Sequence, residues 1–459
     1  MAVIVIAVGG QCREKMPIMK EVNGVPSQKQ VFCFDDIHTA EFWLRKVSHP
    51  DKIIMSKEQI DCFNQEIQKR QPQIVRDLAV HHNDMPWDSI QSAIKQTFPQ
   101  KHLYHQGQQL EKSFYDDLLQ EMDVKGVKKT TKVQFAYSIR GTSIRSFPSK
   151  MFVTDNPSDN EFDLFQETAL DPAEPVIILH ESKSGEWSFV QTSFFRGWVP
   201  AADLAVAGVR HIWLDYLQTA RFLVVTGSKL RLGYNPYSPE ISELEFMMGA
   251  KIPLAAQDEV PDVIDNQSPE GCYVVKLPVQ GGNGELTFKQ ALVPRVSDVF
   301  VGYLPYTRAA VIRQAFKMQG ERYGWGGLFK SRDCSAFVRD IYRCFGFHFP
   351  RNSGEQMLLP GKNFSLTGAN RQERRRLLDQ LPSGSLLFFP GHVMFYLGKH
   401  KDDYYVIHAI AYYGEKEKRD IDGSYIPVSL NAVAVSPLSL RRRRSGEELM
   451  MALTSSVQI

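Results

Sequence analysis

The chain has 459 residues, of which 43% are hydrophobic and 23% are charged, and its formal net charge is +2. This composition excludes a disordered, collagen-like or strongly basic nucleic-acid-binding protein, and the length predicts about three domains. No stretch of the sequence approaches the roughly 20 apolar residues of a membrane-spanning helix, so we expect no transmembrane span. The small net charge does not call for a nucleic-acid partner, and we expect none.

The cysteines carry neither a disulfide signature nor a zinc signature. They are scattered, without C-x-x-C spacing, at Cys12, Cys33, Cys62, Cys272, Cys334 and Cys344. We therefore expect no structural metal and no cofactor. The N-terminal run "MAVIVIAVGGQC" puts Cys12 where a lipoprotein cysteine would stand, but no Lys or Arg precedes its short apolar stretch. A processed export signal and a retained N-terminus both stay open.

The first 300 residues predict helices followed by two sets of short strands. Helical spacing runs from Ser56 to Phe98, and Ser56 with Gln59 forms a capping-box pattern. Alternating residues in "PVIILHESKSGEWSFVQTSFFRGWVPAADL" then predict strands with a turn at Ser184-Gly185. A second strand-rich segment reaches from "RFLVVTGSKLRL" to "GCYVVKLPVQGGNGELTFKQALV", with a hairpin signal at Asn283-Gly284. Both segments indicate small half-open β-barrels, and their similar order of elements suggests a diverged duplication.

The last third of the chain predicts helices followed by an antiparallel sheet. Thr307 is a cap for the helix "RAAVIRQAFKM", and Gly320 ends it. A second helix follows Asp333, and an Arg-rich helix covers Arg371 to Leu381. Three strand-like runs follow, "SLLFF", "HVMFYLG" and "YYVIHAI". This order of elements indicates an α+β fold.

Cys334 stands at the start of an amphipathic helix. Phe337, Ile341, Cys344 and Phe345 fall at helical spacing on one face, which predicts a buried stripe. In the first turn of a helix, free N–H groups and the helix dipole favour negative charge. We therefore expect a lowered thiol pKa at Cys334, donors for an oxyanion, and alkylation near neutral pH well before the structural Cys344.

Two histidines are placed to serve this thiol as a base. A hairpin turn centred on His400 would put His392 directly opposite His408 on one sheet face, with their Cβ atoms about 5 Å apart. His392 would then take the thiol proton while His408 orients its ring. A metal site made of these two lacks a third ligand. Structural roles are expected for the other histidines considered, which are His81, His82, His180, His348 and His400.

The ordered motifs "ERYGWGG", "RDCSAFVRDIY", "FPRNSGEQ", "GSLLFFPGHVMFYLG" and "YYVIHAI" resemble those of the NlpC-type cell-wall cysteine peptidases, a papain-like family. The resemblance covers roughly residues 301 to 435. It implies a papain-like domain over residues 301–459 behind two bacterial SH3-like domains, at 131–208 and 209–300, and a helical segment over 1–130. Ala336 departs from the Gly that many family members carry, which we interpret as variation within the family.

This resemblance also implies an activity and a set of site residues. Relatives are γ-D-glutamyl-L-diamino-acid endopeptidases that cut peptidoglycan stem peptides between D-Glu and diaminopimelate or lysine. By matching motif positions, Cys334 is the nucleophile, His392 the base and His408 the third member, while Tyr323 helps to polarise the scissile carbonyl. Asp333 and Ser335 match positions that line the substrate site, where the aspartate of relatives with paired SH3-like domains binds the free amine of an N-terminal L-Ala.

Several alternatives stay open on the sequence alone. The chain could be an inactive envelope protein that binds wall peptides, although the retained Cys334, His392 and His408 argue against this. It could also be an acyltransferase that uses the same Cys-His chemistry. The basic run Arg441 to Arg444 indicates a solvated face or a contact with an anion such as a phosphate or envelope polymer. The cell envelope, as a periplasmic protein or lipoprotein, is the expected location, with cytoplasmic recycling as the alternative. Oligomeric state and the choice of diamino acid are not predicted.

Overall fold

The computed structural model describes residues 36–94, 98, 102–419, 425–443 and 445–459. The apolar N-terminal run, Cys12 and Cys33 lie outside these residues. The predicted α+β class is confirmed, because helices and separate antiparallel sheets make up the described chain. No helix in these ranges combines the length and hydrophobicity needed to cross a bilayer.

The helical N-terminal part contributes to two different cores. Its elements are α1 (Ala40–Leu44), α2 (Lys57–Arg70), β1 (Asp84–Pro86), α3 (Trp87–Ile94), β2 (Tyr104–His105), β3 (Gln108–Gln109), α4 (Lys112–Glu121) and β4 (Thr130–Lys132). The predicted capping box is confirmed: the Ser56 side chain accepts from the Gln59 backbone and the Gln59 side chain accepts in return. Trp43 and Phe63 pack into the core of residues 304–459, whereas Ile90 and Leu118 pack into the core of the strands that follow.

Residues 134–206 form one seven-stranded antiparallel sheet, the first barrel. Its strands are β5 (Gln134–Ser138), β6 (Thr142–Arg145), β7 (Gln166–Leu170), β8 (Pro175–Glu181), β9 (Trp187–Gln191), β10 (Arg196–Pro200) and β11 (Leu204–Val206). The spatial order is β11-β5-β8-β9-β10-β6-β7, so β7 is an edge strand. The β6–β7 register shifts between Ile144 and Arg145, so that Glu167 is an extra residue in a bulge.

Residues 222–301 form smaller antiparallel pieces after α5 (Arg210–Leu217). Their strands are β12 (Phe222–Val225), β13 (Lys229–Arg231), β14 (Glu245–Met247), β15 (Lys251–Pro253), β16 (Cys272–Gln280), β17 (Leu286–Pro294) and β18 (Val299–Val301). They pair as β15-β12-β18, β13-β14 and β16-β17. The hairpin predicted at Asn283-Gly284 is confirmed, and Gly284 has a φ of +77°, a backbone conformation that glycine adopts at no steric cost.

Residues 308–458 form helices packed on a six-stranded sheet. The elements are α6 (Arg308–Phe316), α7 (Cys334–Arg343), α8 (Ser353–Gln356), β19 (Lys362–Ser365), α9 (Arg371–Gln380), β20 (Leu386–Phe389), β21 (His392–His400), β22 (Asp403–Arg419), β23 (Tyr425–Pro437), α10 (Leu449–Ala452) and β24 (Ser455–Gln458). The sheet order is β19-β24-β20-β21-β22-β23. The predicted cap of Thr307 on α6 is confirmed by its bond from the Ala310 N–H. The buried stripe of α7 faces the sheet and fixes where this helix begins.

Candidate active site

The nucleophile candidate Cys334 lies in the first turn of α7. Asp333 caps this helix, and its side chain accepts a hydrogen bond of 2.9 Å from the Ala336 N–H. Phe337 and Ile341 are fully buried and hold the helix against the sheet. Cys334 itself is 7% exposed. The backbone N–H groups of Ser335 and of Val393, the residue that follows His392, act to lower the pKa of this thiol. The helix start and the first residues of β21 therefore meet at the thiol.

His392 and His408 form a hydrogen-bonded pair on β21 and β22, the two strands against which α7 packs. Nε2 of His392 lies 2.7 Å from Nδ1 of His408, and the two ring centroids are 5.0 Å apart. If Nε2 of His392 carries the proton of this bond, its Nδ1 is free to accept the thiol proton. His408 then holds its own proton on Nε2, a buried atom without a hydrogen-bond partner among the described residues.

The predicted register of this hairpin was wrong, although its consequence survives. The turn lies at 401–402, since His400 pairs with Asp403, and the register shifts again between Tyr396 and Gly398. Phe395 therefore pairs with Ile407, which places His408 opposite Met394 when the ladder is continued. His392 is two residues from that position, and a shift of two residues keeps a side chain on the same sheet face. The two imidazole rings therefore meet as a diagonal pair across β21 and β22.

The predicted lowering of the Cys334 pKa was also wrong. Burial and the charge of Asp333 raise the pKa of this thiol to about 12, outweighing the N–H groups of Val393 and Ser335. Burial lowers the pKa of His392 to about 4, and the charge of Arg442 acts in the same direction. Burial also lowers the pKa of His408 well below its usual range. The resting site therefore holds a neutral thiol beside two neutral imidazoles.

Asp333 and Ser335 flank Cys334 in the sequence, and both side chains already accept hydrogen bonds from Arg351. The Arg351 guanidinium, 2% exposed, donates to the two Asp333 carboxylate oxygens at 3.0 and 2.6 Å and to Ser335 Oγ at 2.9 Å. Asp333 also accepts from Ser335 Oγ and from the N–H groups of Gly326 and Ala336. Burial raises the Asp333 pKa, but the charge and hydrogen bonds of Arg351 lower it further, and the net shift is downward. This arrangement favours a positioning role over direct contact of Asp333 with a substrate ammonium group.

The first barrel reaches into the same cluster. Nε of Arg351 donates to Oγ1 of Thr168 at 2.7 Å, and Nε2 of Gln166 donates to the Gly326 carbonyl at 2.8 Å. At Gly327, whose φ is +85°, a Cβ would lie 2.6 Å from the Ala169 Cβ, so only glycine permits this approach. Edge strand β7 thus supports the loop that leads to Cys334.

Glu167, the bulged residue of β7, is the acidic side chain that this strand adds near the site. Its carboxylate forms no hydrogen bond or ion pair within the described part of the chain. Burial raises the Glu167 pKa, and the nearby charge of Arg351 acts against that shift. A bulge re-aims a side chain and commonly lies beside a functional site.

Aromatic side chains from the first barrel and the last domain surround Tyr323. The Phe162 ring lies 6.1 Å from that of Tyr323, 5.6 Å from Trp325 and 6.5 Å from Tyr412. Glu161, the residue before Phe162, pairs with Arg322 and accepts from Asn431 at 2.6 Å. Burial, together with the neighbouring Cys334 and Asp333, raises the Tyr323 pKa, so its hydroxyl stays protonated. The barrel loop at residues 161–162 therefore lies across one end of the site.

Sequence reasoning missed part of this site. Arg351 stands in the quoted "FPRNSGEQ", where an arginine close to the acidic cap was a usable signal. Phe162, Glu167 and Thr168 had no signal, because a barrel strand does not show which surface it contacts. Cys344 is buried and its thiol donates weakly to the Val225 carbonyl, as expected of a structural cysteine. Across the described residues, no group of three or more His, Cys, Asp or Glu side chains is arranged to hold a metal ion.

Comparison with known proteins gives two family matches. Residues 320–432 match the sequence model of the NlpC/P60 family, and residues 153–200 match that of an SH3 domain of the SH3b1 type. No curated protein sequence matches the chain. An NlpC/P60 endopeptidase from Photobacterium damselae subsp. piscicida is similar in structure, with a TM-score of 0.69 and 17% identity over 90% of this chain and 96% of that chain. An NlpC/P60 family protein from Bacillus cereus ATCC 10987 has a TM-score of 0.42 and 20% identity over 64% and 82% of the two chains. The first likeness shows a shared fold.

Proposed function

Because the chain contains an NlpC/P60 family domain and an SH3 domain, we propose that it is a cysteine endopeptidase that hydrolyses peptidoglycan stem peptides. The observation that carries this proposal is the buried thiol at the start of α7, together with the hydrogen-bonded His392–His408 pair on the strands that this helix packs against. The bond proposed is the amide between γ-D-glutamate and the following L-diamino acid. The catalytic residues proposed are Cys334, His392, His408 and Tyr323.

The resting protonation states favour attack coupled to proton transfer. With pKa values of about 12 for Cys334 and about 4 for His392, a thiolate–imidazolium pair is a minor species before substrate binds. Nδ1 of His392 takes the thiol proton as the sulfur adds to the scissile carbonyl carbon, and then gives it to the leaving amine. Water, deprotonated by the same imidazole, releases the acyl group from the thioester. The Tyr323 hydroxyl and the N–H groups of the first turn of α7 are the donors proposed for the oxyanion.

The first barrel supports a preference for stem peptides with a free N-terminal L-Ala. Glu161 and Phe162 contact Arg322 and Tyr323 at one end of the site, and we expect them to exclude a glycan-linked stem there. An ammonium group at this closed end needs an acidic partner, and Asp333 is already bound by Arg351. Glu167 has no such partner within the described residues, so we assign the ammonium group to it, with Asp333 and Ser335 shaping the site. Such stems are fragments released during wall turnover, which fits the cell envelope or a cytoplasmic recycling step.

Product analysis on defined peptides tests the proposal. Purified protein should release L-Ala-γ-D-Glu from a free tripeptide, and Cys334→Ala should release none. An N-acetylated tripeptide should be cleaved much more slowly, and Glu167→Gln should reduce this difference by weakening cleavage of the free-amine substrate. Binding without any cleavage would favour the inactive wall-peptide receptor. A new amide formed in the presence of added amine would favour the acyltransferase.

A further inference from the structure

Two arginines of the C-terminal basic run lie at the rim of the candidate active site. The guanidinium carbon of Arg442 is 4.8 Å from the Phe389 ring centroid, and that ring lies 5.0 Å from the ring of His392. The guanidinium carbon of Arg443 is 5.7 Å from the Tyr412 ring, which lies next to Phe162. Arg442 and Arg443 are therefore part of the site's edge rather than of a distant solvated face.

The local turn holds these arginines in place without neutralising them. The Arg442 N–H donates to the Glu447 carbonyl, and the Arg442 carbonyl accepts from the Gly446 N–H, both at 2.9 Å. Arg441, by contrast, bonds to the Gly446 carbonyl and forms an ion pair with Glu448. Within the described residues, neither Arg442 nor Arg443 forms an ion pair with a carboxylate. Both charges are available to a bound anion.

Stacking on aromatic rings suits these side chains to bind a carboxylate. A guanidinium that lies over an aromatic face keeps its N–H edge free for a two-pronged hydrogen bond to a carboxylate. In Arg443, the buried Nε atom has no hydrogen-bond partner among the described residues. The rim thus offers oriented donors as well as positive charge.

The side of the substrate that meets Arg442 follows from the role of His392. The imidazole that protonates the leaving nitrogen must lie within hydrogen-bond reach of it, so the leaving group extends past His392. Arg442 lies next to the Phe389 ring, which in turn lies next to His392, so a leaving group that extends past His392 would extend toward Arg442. The leaving group of the proposed reaction is the diamino acid, which has a side-chain carboxylate when it is diaminopimelate and none when it is lysine.

We infer that Arg442 and Arg443 bind a carboxylate of the leaving group and select diaminopimelate-type stems over lysine-type stems. This inference rests on the proposed function. The same rim would also receive the carboxylate at the chain end of a tripeptide, so the test has to separate the two sources of negative charge.

The test compares tripeptides that differ only in these carboxylates. The substrates are L-Ala-γ-D-Glu joined to meso-diaminopimelate, to its side-chain amide, or to L-lysine, each as the free C-terminal acid and as the C-terminal amide. The proteins are wild type, the double variant Arg442→Gln/Arg443→Gln, and the control Arg375→Gln. The guanidinium carbon of Arg375 also lies over an aromatic ring, 5.3 Å from the Tyr404 ring centroid, but Arg375 is on α9, outside the site.

Wild type should cleave the diaminopimelate substrate with a kcat/KM about tenfold above that of its side-chain amide and of the lysine substrate. The double variant should lose this preference, so that its kcat/KM values for the three side chains converge, and Arg375→Gln should keep the preference. If the double variant instead loses kcat/KM only on the substrates with a free C-terminal acid, the rim binds the carboxylate at the chain end. That result would overturn selection of the diamino acid. If the kcat/KM of the double variant falls equally on all six substrates, or does not fall on any, the inference is overturned.

Calorimetry separates this inference from the proposed function. Cys334→Ala should bind the diaminopimelate tripeptide about tenfold more tightly than the lysine tripeptide, and adding Arg442→Gln/Arg443→Gln should remove the difference. If wild type cleaves nothing and this difference is still present, the proposed function fails and the carboxylate site stands. If wild type cleaves the substrates and no difference is present, the carboxylate site fails alone.

Discussion

Replacing Arg351 tests whether the buried Arg351–Asp333 pair holds the start of α7 in place. Arg351→Gln leaves Asp333, 7% exposed, without the two guanidinium bonds of 3.0 and 2.6 Å. Removing one partner of a buried ion pair costs about 3–5 kcal/mol because the other charge stays buried. The lost bond to Thr168 adds about 1 kcal/mol. We therefore expect the free energy of unfolding to fall by about 4–6 kcal/mol.

A double-mutant cycle with Asp333→Asn measures the pair itself. Urea unfolding followed by tryptophan fluorescence gives the free energy for wild type, both single variants and the double variant. The double variant should be less destabilised than the sum of the singles, by about 2 kcal/mol or more, because it buries no unpaired charge. Arg371→Gln, which breaks an exposed pair with Glu448, should change the free energy little. Additivity of the single variants within about 0.5 kcal/mol would refute the reasoning.

The same pair predicts a pH dependence with a definite sign. The pKa of Asp333 is lowered in the folded protein, so its contribution to stability is present above the ordinary aspartate pKa and is lost as pH falls through the folded value. Arg351→Gln removes the largest causes that lower the Asp333 pKa and leaves burial, which raises it, opposed by the N–H groups of Ala336 and Gly326. The gap in stability between wild type and Arg351→Gln should therefore be large at neutral pH and narrow in acid. A gap that widens in acid would contradict the assignment.

Three further predictions concern the catalytic groups and the barrel loop. At pH 7, iodoacetamide should alkylate the exposed Cys62 before Cys334, because burial and Asp333 raise the Cys334 pKa to about 12; peptide mass spectra with Cys334 labelled first would contradict this. His408→Asp should put a carboxylate beside His392, raise the His392 pKa and move the acid limb of kcat/KM upward by about one pH unit or more; an unmoved limb argues against the pair. Phe162→Ala should speed cleavage of an N-acetylated tripeptide relative to the free-amine tripeptide, and an unchanged ratio in a chromatographic assay would remove the loop from substrate selection.

The sequence predicted those parts of the site that depend on local pattern. The apolar spacing after Asp333 predicted α7 and its buried face, and the motif series predicted the family resemblance, which the matches over residues 320–432 and 153–200 confirm. The hairpin register failed because the turn lies at 401–402 and not at His400, and because the further shift between Tyr396 and Gly398 changes no hydrophobic pattern. The thiol pKa failed because the helix start was considered without the burial that tertiary packing adds.

Long-range contacts explain the remaining gaps. The helical segment predicted over residues 1–130 divides between two cores, since Trp43 packs with the last domain and Leu118 with the first barrel. Periodicity identifies the apolar face of a helix but not the surface that covers it. Arg351 and Thr168 are 183 residues apart, and no spacing rule links them. The predicted domain boundaries stay predictions.

The close approach of β7 to Gly326 and Gly327 limits how freely this chain can be divided or recombined. A fragment cut at residue 301 would keep the thiol and both imidazoles but would lose the hydroxyl of Thr168 and the amide of Gln166, which support the preceding loop. It would also uncover the surface on which Trp43 and Phe63 pack. The last domain and the first barrel therefore depend on each other, and a transfer of residues 301–459 to another protein would have to include the barrel.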